Sequence, residues 1–140
     1  MSTVLAASGG NPLVLVVDCD EPTRDMYKEW LTYCGFRVVE ASTANQALEI
    51  AHSLHPNLIT TGIGLRDGDD GCVLCEQLKH ADDTKSIPVL VVTGWAMGGH
   101  VERARDAGCD AVLLKPVPPS VLLSEIQKLL ETALSTARLS

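Results

Sequence analysis

The chain has 140 residues, of which 46% are hydrophobic, and its formal net charge is −7. This length suits one domain with an aliphatic core, and the acidic balance argues against binding to nucleic acid. No apolar run is long enough to span a membrane, and the odd count of five cysteines favours free thiols, so we expect a cytoplasmic protein.

The first predicted elements follow an N-terminal tail over residues 1–11, which lacks the basic segment of a secretory signal. Leu13–Val17 is a continuous apolar run and is predicted to form a buried strand. Asp20 then fits the N-cap of a helix, because a carboxylate there accepts backbone N–H bonds and Pro22 suits the first turn. We expect this helix to end at about Cys34, before a glycine.

The middle of the chain continues the alternation of strands and helices. Phe36–Glu40 is predicted to be the second strand, and Thr43, with a glutamine three residues later, has the capping-box spacing that begins a second helix. Leu58–Ile63 is predicted to be the third strand. A polar loop rich in Gly and Asp covers Leu65–Gly71, and a third helix is predicted from about Cys72 to His80.

The last third of the chain completes the pattern. Val89–Thr93 and Ala111–Leu114 are predicted strands, and Met97–Ala107 between them is predicted to be a helix that ends before a glycine. A final helix is predicted to begin near Pro119, and residues 136–140 are predicted to form a C-terminal tail.

Five strand–helix units with short connections predict one α/β domain over residues 12–135. Right-handed crossovers would place helices on both faces of a parallel sheet, and ligands of such sheets bind at the carboxyl ends of the strands. The residues at those ends are Asp18, Cys19, Asp20, Gly62, Thr93 and Lys115.

Short motifs surround these positions in a defined order. They are Val16-Val17-Asp18, Pro56-Asn57-Leu58, Val91-Val92-Thr93, Ala107-Gly108-Cys109-Asp110 and Leu114-Lys115-Pro116. The ordered set resembles the landmarks of bacterial response-regulator receiver domains, over roughly residues 12–134. The resemblance implies a flavodoxin-like (βα)5 three-layer fold with strand order 2-1-3-4-5, and a cis Lys115-Pro116 bond.

The resemblance also implies a set of site residues. In receivers, an acid pair after the first strand and an aspartate that ends the third strand hold Mg²⁺, and the latter accepts a phosphoryl group from a partner's phosphohistidine. A threonine and a lysine, which align with Thr93 and Lys115, then bind that group. Here Gly62 occupies the phosphoacceptor position and Cys19 replaces the second acid of the pair, so only Asp18 remains in register.

Two further positions depart from the receiver pattern. The loop after the third strand carries an extra residue, with Arg66 at the usual proline, and Val112 stands at the aromatic switch position. Because glycine cannot be phosphorylated and one carboxylate holds Mg²⁺ poorly, we expect a degenerate pseudo-receiver with no catalytic residues and lost or weak Mg²⁺ binding. Its expected function is phosphorylation-independent interaction with a two-component signalling protein, such as a histidine kinase.

Two interpretations are open for the remaining polar residues of the pocket. Thr93 and Lys115 could form a residual site for a small anionic ligand at the strand ends. Alternatively, Lys115 pairs with Asp18, and the two residues are a remnant of the receiver architecture.

The loop and helix after the third strand also carry candidate functional groups. Asp67, Asp69 and Asp70 could hold a cation or form a solvated loop, and a phospho-switch of altered chemistry could use Asp67, Asp69 or a threonine. Cys72 and Cys75 have the spacing of a redox motif, although buried free thiols are the simpler interpretation.

The segment after the fourth strand offers candidates for a partner surface. Trp95 and Met97 are large apolar side chains in a loop, and His100 and Arg103 follow on the next predicted helix. Trp95 could instead fold over the pocket that Gly62 leaves open.

Overall fold

The computed structural model describes residues 11–95 and 97–139 of the chain. Its elements in chain order are β1 (Leu13–Val17), α1 (Glu21–Tyr33), β2 (Arg37–Ala41), α2 (Ala44–Leu54), β3 (Leu58–Thr61), a 3₁₀ turn (Arg66–Gly68), α3 (Gly71–His80), β4 (Val89–Thr93), α4 (His100–Asp106), β5 (Ala111–Leu114) and α5 (Pro119–Leu139). The strands are parallel and lie in the order β2-β1-β3-β4-β5. The α/β fold and the strand order predicted from the sequence are therefore confirmed.

The two faces of the sheet bury alternate residues of the same strand. Leu15 of β1 packs with Leu74 of α3 on one face, in a cluster that also includes α2 residues. Val16 packs with Leu31 of α1 and Ile126 of α5 on the other face. Burial on both faces explains why β1 is a continuous apolar run rather than an alternating one.

The predicted caps begin the first two helices. The Asp20 side chain accepts a hydrogen bond from the backbone N–H of Thr23 at 3.1 Å, and Thr43 Oγ1 accepts one from the N–H of Gln46 at 3.2 Å. The Gln46 side chain accepts from the N–H of Ser42 at 3.0 Å rather than from that of Thr43, one residue earlier than in a standard capping box.

Helix α4 is shorter than predicted. It begins at His100 rather than at Met97, and it ends at Asp106. Gly98 and Gly99 precede it with φ values of +79° and +78°. These left-handed conformations, which favour glycine, are incompatible with a helix that runs through both positions.

Other boundaries differ by one to a few residues. Strand β2 begins and ends one residue later than the predicted Phe36–Glu40. Strand β3 ends at Thr61 rather than at Ile63, because the Ile63 carbonyl accepts a hydrogen bond from the N–H of Gly71 at 2.6 Å instead of joining the sheet.

The ends of the chain bear on the predicted tails. Helix α5 continues to Leu139, past residue 135 where the sequence predicts the domain to end. Of the predicted N-terminal tail, residues 1–10 lie outside the described part of the chain. Across residues 11–95 and 97–139, the helices are all too short or too polar to cross a lipid bilayer.

Candidate functional site

The ends of β1, β4 and β5 bring three of the predicted pocket residues together. Asp18 is buried directly after β1, and its Oδ2 lies 3.5 Å from Nζ of Lys115. Its Oδ1 accepts a hydrogen bond from the backbone N–H of Asp20 at 2.9 Å. Lys115 follows β5, and its own N–H donates to the carbonyl of Thr93 at 2.9 Å. The structure thus contains the ion pair of Lys115 with Asp18 that one of the two interpretations predicts.

Gly62 lies beside Asp18, directly after β3. Its backbone N–H donates to the carbonyl of Val17 at 3.0 Å. A Cβ atom built on Gly62 would have Asp18 Oδ2 as its nearest neighbour at 3.6 Å, which is an ordinary van der Waals distance. Because the φ angle of Gly62 is also outside the left-handed region, neither space nor backbone conformation requires glycine here.

The other two residues of the predicted acid pocket are used differently. Asp20 Oδ2 accepts hydrogen bonds from both the N–H and the hydroxyl of Thr23, at 3.1 and 2.5 Å, and so caps α1. These two bonds lower the pKa of Asp20 below its ordinary value. The Cys19 side chain is exposed to solvent.

These residues do not fit a Mg²⁺ site of the receiver type. Mg²⁺ prefers several oxygen ligands in octahedral geometry, whereas a cysteine thiolate is a soft ligand. Asp18 already pairs with Lys115, and Asp20 already caps a helix. Within the described residues, no group of three or more His, Cys, Asp or Glu side chains is arranged to hold a metal ion.

We therefore predict that Mg²⁺ has almost no effect on this protein. Millimolar MgCl₂, added at constant ionic strength, should leave the melting temperature and the tryptophan emission unchanged, because only one carboxylate is in place to bind it. CaCl₂ and NaCl titrations are the controls. A saturable change specific to Mg²⁺ would contradict the prediction and would point to additional oxygen ligands from the β3–α3 loop.

The proposed partner residues lie next to this pocket. Trp95 is about half exposed and Met97 is almost fully exposed. The backbone N–H of Trp95 donates to the buried Thr93 Oγ1 at 2.9 Å, and its ring centroid lies 5.0 Å from that of His100. Arg103 faces the β3–α3 loop, where its Nη2 donates to Asp70 Oδ2 at 2.6 Å.

This fold and this pocket have counterparts among known proteins. The family model of the response regulator receiver domain matches residues 14–127. The chain belongs to this family. It is similar to the polar-differentiation response regulator DivK of Brucella ovis, with 29% identity over 120 residues that cover 86% of this chain and 97% of the relative.

Solved receiver structures have the same fold. A CheY-like response regulator receiver domain protein from Methanospirillum hungatei JF-1 is 29% identical, with a TM-score of 0.85 over 91% of this chain and 99% of the other. A response regulator from Chloroflexus aurantiacus J-10-fl is 26% identical, with a TM-score of 0.81 over 86% of this chain and 98% of the other. The protein is a receiver domain of two-component signalling.

The acidic loop of this receiver is occupied by structural contacts. Asp69 Oδ2 accepts a hydrogen bond from the backbone N–H of Ala44 at 2.7 Å, at the start of α2. Asp70 caps α3, because its Oδ1 accepts from the N–H of Cys72 at 2.7 Å, and it also pairs with Arg103. Asp67 lies in the 3₁₀ turn with a left-handed φ of 61°. The carboxylates of Asp69 and Asp70 therefore serve two different parts of the fold rather than one shared ligand, and Asp67 is exposed.

Asp70 makes the receiver's stability depend on pH. Burial alone would raise the pKa of Asp70, but the hydrogen bonds from Arg103 and from the N–H of Cys72 lower it by more. A lowered folded-state pKa adds stability above the unfolded-state value of about 4, and this stability is lost as the pH falls through the folded-state pKa. Asp70→Asn should thus be less stable than wild type at pH 7, with a difference that shrinks in acid.

Urea denaturation at several pH values measures this difference. Asp82→Asn is the control, because the Asp82 side chain is 99% exposed and its partner Lys85 lies 3.5 Å away on the surface. The variant could instead lose as much unfolding free energy at the lowest pH where the protein folds as it does at pH 7. That result would contradict a stabilising role for the charge of Asp70.

The cysteine pair with redox spacing is buried. Burial is the main factor that raises the pKa of the Cys72 thiol, and it raises the pKa of Cys75 to about 12 and that of Cys109 to about 11. A thiol that stays protonated at neutral pH is a poor nucleophile. These values favour structural thiols over a redox motif.

An apolar groove on α1 is a feature that sequence reasoning missed. Its cavity of about 860 Å³ is lined by Pro22, Asp25, Met26, Glu29, Trp30, Tyr33 and Pro119. The rings of Trp30 and Tyr33 stack at 5.9 Å, and Trp30 Nε1 donates to the carbonyl of Pro119 at 3.2 Å. The signal in the sequence is the set of large side chains Met26, Trp30 and Tyr33 at helical spacing, and it does not reveal that Pro119 of α5 completes the groove.

Proposed function

We propose that this receiver signals through protein–protein interaction without aspartyl phosphorylation, as a non-enzymatic, cytoplasmic component of a two-component pathway. The observation that carries the proposal is Gly62, because the phosphoacceptor position has no side chain although the pocket has room for one. The packing around position 62 therefore does not require glycine there.

The surroundings of Gly62 support the same function. Phosphoryl transfer to a carboxylate needs a nucleophile, and the metal that neutralises the developing charge needs several oxygen ligands. Asp18 pairs with Lys115, and Cys19 provides no carboxylate at the second acid position. The missing carboxylate at position 62 and the missing carboxylate at position 19 are thus two separate obstacles to a phosphorylation switch.

The partner surface of the proposal consists of Trp95, Met97, His100 and Arg103. Large half-exposed aromatic side chains contribute much of the energy of protein interfaces. Trp95 is 51% exposed and Met97 is 85% exposed, beside a cavity of about 550 Å³. We assign this surface to a signalling protein partner, of which a histidine kinase is one class.

Affinity capture from the source cells tests the proposal. Immobilised wild-type chain should retain the same partner in EDTA and in Mg²⁺ with acetyl phosphate, because binding does not depend on phosphorylation. Trp95→Ala should retain about tenfold less, as expected for an interface anchor, whereas the tryptophan control Trp30→Ala should retain as much as wild type. Retention that requires both Mg²⁺ and acetyl phosphate would refute the proposal.

A further inference from the structure

Trp95 occupies the space of a side chain that the β3–α3 loop lacks. A Cβ atom built on Gly64 would lie 2.9 Å from Cη2 and 3.3 Å from Cζ2 of the indole. Distances this short are below ordinary van der Waals contact, so the ring packs directly on the backbone of Gly64. Glycine at position 64 is therefore a requirement for this position of Trp95.

The loop that carries Gly64 also contacts α4 at a second point. Gly64 and Asp70 pair through an isolated antiparallel β-bridge, which holds the two ends of the loop side by side. Gly64 contacts Trp95, whose ring lies against His100, the first residue of α4. Asp70 forms the ion pair with Arg103, one turn further along the helix.

The link between β4 and α4 contains two adjacent glycines, and the helix that follows it is short. Gly98 and Gly99 both have left-handed backbone conformations, and α4 has only seven residues with one buried residue, Ala104. A short helix with so little buried surface gains little stability from its own sequence. The contacts made by Trp95 and Arg103 are the ones that tie it to the loop.

We propose that Gly64 and Asp70 form a clamp that holds α4, through Trp95 and Arg103, in one arrangement without any group on residue 62. Trp95, His100 and Arg103 take part in the clamp contacts and also belong to the proposed partner surface. The clamp therefore explains how a receiver without a phosphoacceptor presents this surface in a fixed arrangement. The role of the clamp in presenting a partner surface rests on the proposed function, but the clamp itself can be measured on the isolated protein.

Hydrogen exchange of the α4 amides, measured by NMR, tests the clamp. Gly64→Ala should displace the indole, since the clashing atoms are the far end of a side chain, and should speed exchange over His100–Asp106 by about tenfold. The matched control is Gly94→Ala, because a Cβ there meets no atom within 4 Å although it adjoins Trp95. Arg103→Gln should also speed exchange, by removing the ion pair with Asp70.

A rescue variant separates the contact from a general loss of stability. Trp95→Phe removes the indole atoms that clash with a methyl group at position 64, so its combination with Gly64→Ala should exchange more slowly in α4 than Gly64→Ala alone. Exchange in β1 should stay unchanged in all variants. If Gly64→Ala moves the Trp95 indole resonance but leaves α4 exchange at the wild-type rate, the clamp is refuted.

The clamp is also refuted if the α4 amides of the Gly64→Ala and Gly94→Ala variants exchange at equal rates. No partner or phosphodonor is present in these measurements. Their outcome therefore does not depend on whether the receiver signals with or without phosphorylation. Failure of the proposed function would instead appear as phosphorylation-dependent capture of the partner.

Discussion

Gly71→Ala should destabilise the fold by about 1–3 kcal/mol or more, which is the range for overpacking a tight site. A Cβ on Gly71 would overlap the carbonyl oxygen of Gly62 and would lie 2.9 Å from its carbonyl carbon. These are backbone atoms, and the 2.6 Å hydrogen bond from Gly71 N–H to the Ile63 carbonyl holds the two segments together. Neither segment can move away without breaking the loop that shapes the pocket.

Gly62→Ala is the matched control for this substitution. A Cβ on Gly62 meets nothing closer than 3.6 Å, and its backbone suits alanine, so the variant should be as stable as wild type or more stable by about 0.4–1 kcal/mol. Chemical denaturation of both variants at the same pH gives the comparison. Equal stabilities of the two alanine variants would contradict the close approach of Gly71 to Gly62.

Restoration of the two missing acids should give this receiver a phosphorylation site. In the double variant Gly62→Asp, Cys19→Asp, carboxylates at positions 19 and 62 would join Asp18 at one edge of the sheet, which is the oxygen ligand set that Mg²⁺ needs. The new aspartate at position 62 would supply the nucleophile, and Mg²⁺ bound by Asp18 would replace the ion pair with Lys115, which leaves Lys115 to bind the phosphoryl group. We expect Mg²⁺ to stabilise this variant and acetyl phosphate to add one phosphoryl group.

The control for restoration is Gly62→Asn, Cys19→Asp, which has the same shape but no nucleophile at position 62. It should gain no phosphoryl group. The aspartate variant could instead fold and bind Mg²⁺ without gaining a phosphoryl group. That result would show that the two acids are not sufficient for phosphorylation, and it would point to the altered β3–α3 loop or to Val112.

The strands and the starts of α1 and α2 were predictable because their signals are local. Buried parallel strands are short apolar runs, as Leu13–Val17 and Val89–Thr93 show, and such runs differ clearly from the amphipathic helices between them. Asp20 and Thr43 cap their helices through residues three positions away, so the pattern is visible within one turn.

The gathering of Asp18, Thr93 and Lys115 was predictable for a different reason. The carboxyl ends of parallel strands meet at one edge of a sheet whatever the side chains are, so the order of the elements is sufficient. The sequence left open whether Thr93 and Lys115 form a site for a small anion or whether Lys115 pairs with Asp18. The structure adds the 3.5 Å distance between Lys115 Nζ and Asp18 Oδ2, which no sequence pattern indicates.

The start of α4 and the role of the acidic loop could not be derived from the sequence. Gly98 and Gly99 in the sequence do not exclude a helix. Their left-handed φ values depend on where the surrounding elements place the chain. The pair of Asp70 with Arg103 joins residues that are 33 positions apart, so no periodic pattern indicates it. Contacts of this kind are set by the packing of whole elements.

The most direct test of a phosphorylation-independent receiver is the intact mass of the wild-type chain after incubation with Mg²⁺ and acetyl phosphate. The conditions are those under which we expect the Gly62→Asp, Cys19→Asp variant to gain a phosphoryl group. We expect the wild-type mass to stay unchanged, because position 62 has no side chain, Asp18 is paired with Lys115 and Asp20 caps α1. A stoichiometric gain of one phosphoryl group, on Asp67, Asp69 or a threonine, would contradict the proposed function and establish a phospho-switch of altered chemistry.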